Sequence, residues 1–179
     1  MDIYFVGDRS MSILKVQQLQ HTNGTVGLDI HTSGTVHIPG HQVQMVYGEN
    51  NQTNQNVSSS SAWTTVTTLA VSITPKFTNS LIKAELNVHC LTNASGYCGG
   101  GLRRDSTDIG YMFGYNNSST YINFNPSVTV IDTPGTTSTI TYRPIGYVSN
   151  GTGTMLWNYQ GYQTGLVQKT RITLTEIAQ

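Results

Sequence analysis

Nine carboxylates, five histidines and two cysteines are all that this chain offers to acid–base, metal or thiol chemistry. The closest acidic pair is Asp105 and Asp108, beside Arg103 and Arg104 in a predicted loop. Glycoside hydrolysis needs two carboxylates across a cleft. Asp105 or Asp108 with Asp132 or Glu85 is the pairing that a carbohydrate-active enzyme would draw on. No dinucleotide fingerprint, phosphate loop, zinc-protease motif or nucleophile elbow is present, and the expectation is a protein without catalytic residues. His37 and His41 are separated by three residues, with His31 on the same side of Pro39. Packing of several copies would let such imidazoles share a Zn, Ni or Fe ion. The stretch holds no carboxylate or thiol, however, so exposed or capping histidines and no metal or cofactor are expected. His89 is placed at the solvent end of a strand. Cys90 continues an apolar strand face and reads as a buried free thiol, although its spacing from Cys98 would also allow a loop-closing disulfide.

Tyrosine carries more information. Tyr111, Tyr115 and Tyr121 fall in one region, and Tyr142, Tyr147, Trp157, Tyr159 and Tyr162 in another. Aromatic rings among Asn and Ser can stack on sugars or dock on a protein while still hydrogen-bonding. Tyr111, Tyr115 and Tyr121 are therefore the candidate contacts for a glycan or a partner. Tyr115 and Tyr121 flank the Asn116–Ser119 turn and are read as surface residues. Trp63 and Trp157 are read as core.

The elements that must position these rings are strands. Charged residues make up only 10% of the chain, against about a quarter in ordinary domains, and the formal net charge is zero. Disorder would want high net charge and few aromatic or β-branched residues, whereas here Thr, Val and Ile recur in alternation. Zero net charge leaves copies free to approach one another. It also argues against nucleic acid, which wants a basic stripe. No apolar run approaches the roughly 18 residues of a membrane span. The acidic start Met1-Asp2-Ile3-Tyr4 is unlike a secretory leader.

The first division falls near Pro39-Gly40. Before it lie two similar stretches, Asn23–Leu28 and Ser33–Ile38, each a turn dipeptide followed by alternating apolar residues. They read as short strands that gain a core by packing against other copies, and Ile13–Leu19 reads as a further strand or a short helix, with the strand preferred. After Pro39, His41–Tyr47 alternates. Glu49–Ser61 reads as a long polar loop. Leu69, Val71 and Ile73 share one face of a run that Pro75 ends. Ile82, Ala84, Leu86, Val88 and Cys90 oppose Lys83, Glu85, Asn87 and His89, the cleanest half-buried strand in the chain. The glycines from Gly96 to Gly101 read as a flexible turn. Further strands are expected at 101–104, 109–115, 127–131, 138–142, 147–149, 154–159 and 167–177, about eight in all with no helix. That rhythm predicts an all-β fold, a jelly-roll-like antiparallel β-sandwich over 41–179 behind an extended segment over 1–40.

Two patterns carry a resemblance. One is Met11-Ser12-Ile13-Leu14-Lys15-Val16 with the Asn-Gly-Thr and Ser-Gly-Thr-Val turns that follow. The other is Ile38-Pro39-Gly40-His41-Gln42-Val43-Gln44 with Leu69–Lys76 and Ser80–Ala84. Together they resemble phage tail-fibre and related virion fibre or appendage proteins. Leu81-Ile82-Lys83 departs from the Lys-Ile of that pattern, and the segment before the domain is too brief for a long shaft. The resemblance implies a virion component made in the host cytoplasm, assembled as a homotrimer and docked on another virion protein. It also implies a jelly-roll-like domain that in some members binds host surface polysaccharide. Ile13, Leu14, Val16, Leu28, Ile30, Val36 and Ile38 are then the candidate assembly contacts. A fibre tip that binds glycan, a decoration protein without adhesive function, and a carbohydrate-active enzyme are the functions weighed.

Overall fold

The computed structural model describes residues 18–20, 26–30, 36–52, 54–58, 62–66, 68–117, 121–149, 154–159 and 169–179, with side chains from residue 38 onward apart from Ser58. The chain divides into two compact units, 1–41 and 42–179. In the first, β1 (Gln18–Gln20), β2 (Val26–Ile30) and β3 (Val36–His37) form an antiparallel sheet with β2 in the middle. Of the candidate assembly residues, Ile13, Leu14 and Val16 lie outside the described residues. Leu28 and Ile30 are on β2 and Val36 on β3, their side chains also outside the description. Ile38 is half-buried and begins a tight turn, its carbonyl accepting the His41 amide at 3.1 Å. Pro39 presets the first turn dihedral, and Gly40 takes the left-handed φ of 82° that a side chain resists.

The second unit is all-β. Its first layer has two short sheets. One contains β4 (Gln42–Asn50), β8 (Leu81–Asn87), β13 (Ser127–Asp132) and β16 (Thr170–Ile177), in the order β13-β8-β16-β4. The other contains β5 (Gln55–Ser58), β9 (Cys90–Thr92), β12 (Ile122–Phe124) and β15 (Thr154–Trp157), in the order β12-β9-β15-β5. The orders match strand for strand, and β8 runs on into β9 as β12 does into β13. Across the crease between them the Val88 amide donates to Pro126, Asn158 to His89 and Asn54 to Asn158. Asn158 is wholly buried there with φ 54°. Its amide nitrogen donates to the carbonyls of Asn50 (3.1 Å) and Gln52 (2.9 Å), and its oxygen accepts the Thr170 hydroxyl (2.8 Å).

The second layer contains β6 (Thr64–Thr65), β7 (Val71–Ile73), β10 (Gly96–Arg104), β11 (Thr107–Asn116) and β14 (Ile140–Val148). The order is β11-β10-β14, with β6 and β7 sharing the far side of β14. Counted as eight consecutive segments, the first layer reads sixth, third, eighth, first, and the second reads fifth, fourth, seventh, second. The layers pack face to face in a sandwich-like arrangement, and among the described residues no sheet closes into a barrel.

The core follows from alternation. Ile82, Ala84 and Leu86 of β8 and Ile172 and Leu174 of β16 are fully buried, as are Leu102, Tyr142, Met155 and Trp157. Each of the buried Ile and Leu side chains among them contributes about 2 kcal/mol relative to exposure. Glu176 continues the buried face of β16. Its carboxylate accepts the Lys76 amide and the Ser80 hydroxyl, both at 2.7 Å, and Gln44 Nε2 at 2.6 Å, so the turn after Pro75 is tied to the last strand.

Three expectations are corrected. The stretch 49–61 is not all loop: β5 pairs with β15, and Val57 is buried against Gly146. The strands expected at 138–142 and 147–149 are one strand, β14 (Ile140–Val148), despite Pro144. Its carbonyl accepts the Val66 amide, so the missing N–H points to the same side, into the gap between β6 and β7. Gly96–Gly101 is not a turn but most of β10, a central strand. An added Cβ at Gly100 would lie 2.7 Å from Pro126 Cγ, and at Gly101 2.6 Å from the Gly110 carbonyl oxygen. Only glycine leaves room for the neighbours on both sides.

Candidate functional site: an aromatic sheet face

The outward face of β10, β11 and β14 is built by period-two alternation. On β11, Tyr111, Phe113 and Tyr115 point away from the core, and register sets Tyr97 of β10 beside Tyr115 and Tyr147 of β14 beside Gly99. Trp63, just before β6, closes the group. Its ring centroid lies 5.3 Å from that of Tyr111, 5.2 Å from Phe113 and 5.4 Å from Tyr147. Tyr97 meets Tyr115 edge-on at 5.0 Å, and Phe113 meets Tyr147 at 5.6 Å. Trp63 approaches this closely because Gly99 has no side chain: a Cβ there would lie 2.8 Å from Trp63 Cη2.

The rings remain open to solvent. Tyr97 is 55% exposed, Tyr111 59%, Phe113 44% and Tyr115 62%, values that no monomer core would leave. Tyr97, Phe113 and Tyr147 line a shallow hollow of about 230 Å3. At the end of the face, Asp108 takes the Arg103 guanidinium at 2.5 and 3.2 Å, and Arg103 Nη2 also donates to the Trp63 carbonyl at 3.3 Å. The Asp108 hydrogen bond holds the Arg103 pKa above its ordinary value.

Among the tyrosines named from sequence, Tyr111 and Tyr115 stand together on this face. Tyr121 is exposed before β12, and no ring among the described residues packs on it. Trp157 is core, but Trp63 is not, contrary to expectation: it belongs to the outer face. Tyr97, Phe113, Trp63 and Tyr147 were not singled out as site residues. Alternation along β11 would have found Phe113; the others needed the pairing of distant strands.

Several other chemistry-bearing groups among the described residues are engaged structurally. Asp132 accepts Arg104 at 2.7 Å and the Tyr142 hydroxyl at 2.6 Å, and burial together with that hydrogen bond pushes the Tyr142 pKa up. Asp105 accepts the Thr141 amide at 3.0 Å. Cys90 and Cys98 are both free and buried, and burial raises both thiols' pKa values. His89 is not at a solvent end. Its Nδ1 is buried without a hydrogen-bond partner among the described residues, and desolvation lowers its pKa. Among the described residues no three His, Cys, Asp or Glu side chains gather as metal ligands, and no helix is long and apolar enough to cross a membrane. His41 is exposed, whereas His31 and the side chain of His37 lie outside the description.

No protein-family model matches the chain, and no curated protein matches it in sequence.

Proposed function

We propose that the protein is a structural subunit of a phage virion, a short fibre or appendage component that presents the aromatic face to host surface glycan. The observation that carries this reading is six rings on one side of one sheet, four of them largely exposed. Contiguous exposed apolar surface marks an interaction site. Rings with flat faces and phenolic hydroxyls suit sugars, which present C–H groups on one side and hydroxyls around the rim. The strand order supports a jelly-roll-like domain, since first-eighth-third-sixth and second-seventh-fourth-fifth layers are those of two nested Greek keys. The small sheet of residues 18–37 serves, in this reading, as the segment that docks on another virion protein and joins sister chains in a homotrimer. A structural subunit of this kind uses no cofactor.

A glycan array probed with the intact chain tests the adhesive part. Binding is expected, and Tyr111→Ala with Tyr115→Ala abolishes it; absence of binding to any host polysaccharide overturns it and leaves a decoration subunit. Sedimentation tests the assembly part. The full chain should run as a trimer and residues 42–179 alone as a monomer.

A further inference from the structure

The aromatic face changes character along its length. Cross-strand register gives successive rows Tyr115–Tyr97, Phe113–Gly99–Tyr147, Tyr111–Gly101–Ile145 and finally Arg103–Arg143. Strands advance ~3.4 Å per residue, which sets the arginine row roughly 20 Å from the Tyr97 row. Arg103 and Arg143 stand directly opposite one another on paired strands, where like charges repel. Only Arg103 is relieved, by Asp108. Arg104 pairs with Asp132, and the Asp105 carboxylate is held by the Thr141 amide. Arg143 has no acidic partner among the described residues, yet it is half-buried. A guanidinium in that position is free to take an anion from outside, and its planar fork matches a carboxylate.

We infer that Arg143 binds a carboxylate of the sugar chain whose other residues stack on the rings, so that the ligand of this face is an acidic oligosaccharide of the uronic- or sialic-acid class. This rests on the reading of the face as a glycan surface. The test is an array of acidic oligosaccharides, each printed beside its carboxyl-reduced counterpart, probed with the intact chain. The acidic form should bind at least about tenfold more tightly, the scale of one charge-assisted contact. Arg143→Gln should remove that preference while leaving the neutral form unchanged, Arg143→Lys should restore part of it, and Tyr115→Ala should weaken both forms alike. Equal binding of the two forms, or a preference that survives in Arg143→Gln, overturns the inference and leaves the glycan surface standing. Binding of neither form by any variant overturns both. Circular dichroism and the thermal midpoint of each variant show that a lost preference is not lost folding.

Discussion

The two outer faces of the sandwich are made of strands of similar length and carry opposite chemistry. On the face of β10, β11 and β14, rings cover a strand of glycines. On the face of β4, β16, β8 and β13, Thr173, Thr175 and Thr129 alternate with ion pairs. There Glu49 accepts Lys169 at 2.8 Å and Arg171 Nε at 2.9 Å, and Lys83 meets Glu85 at 2.9 Å. Three apolar side chains, Met45, Tyr47 and Ile131, do stand exposed there, the first two over a hollow of about 300 Å3 whose other walls are Glu49, Arg171 and Thr173. Met45 and Tyr47 are neighbours on β4 bordered by Glu49, Arg171 and Thr173, Ile131 stands apart on β13, and no ring among the described residues packs on Tyr47. The contrast separates a mostly hydrophilic face from an aromatic one. The aromatic face also spends backbone conformational freedom on its purpose, since glycine is a poor strand former.

Substitutions sharpen that contrast. Gly101→Ala should have the largest effect, about 2–3 kcal/mol by urea denaturation, because the new Cβ meets backbone rather than a yielding side chain. Thr129→Ala on the other face should stay within about 0.5 kcal/mol. Trp63→Ala comes next. It removes three ring contacts and should lower stability by about 2 kcal/mol and abolish glycan binding. Tyr47→Ala should cost under about 0.5 kcal/mol and leave binding intact; equal effects of the two would erase the distinction.

A smaller effect belongs to the crease and to neither face. His89 has a folded-state pKa below its ordinary 6.5 because burial disfavours the imidazolium. Below that value the unfolded chain binds a proton that the folded chain resists, so stability falls as pH drops. The urea midpoint should decrease from about pH 7.5 to about pH 5.5, and less so in His89→Gln. The smallest effect concerns Glu49, whose carboxyl is held below its ordinary 4.5 by Lys169 and then Arg171. Its pairs persist above that value and are lost as pH falls through the lowered one. Glu49→Gln should therefore show no difference from the parent chain in high salt and a slight one in low salt, read from thermal midpoints.

Local alternation made part of this legible. Ile82–Leu86 against Lys83 and Glu85, Thr170–Leu174 against Arg171–Thr175, and the stop at Pro75 all stand as the sequence pattern predicts. Glu176 could have been placed inside by the same rule. The glycines of β10 could not, since glycine has no side chain to alternate, and what fixes them are Trp63, Tyr111, Pro126 and Trp157 from four distant places. Val57 was hidden for a similar reason, as a single apolar residue among amides and hydroxyls has no period. Trp63 and His89 were misplaced because which side of a strand faces the core depends on the layer opposite.

Gly99 and Gly100 separate the only two tryptophans in the chain by the thickness of one strand. Trp63 stacks on the open side among tyrosines, and Trp157 is sealed on the closed side with its Nε1 unpartnered among the described residues. Intrinsic fluorescence therefore reports two things at once: a quencher-accessible signal that follows whatever settles on the outer rings, and a shielded one that changes only when the layers part. A Trp63→Phe variant separates the two signals, and with them occupancy from unfolding, without any added label.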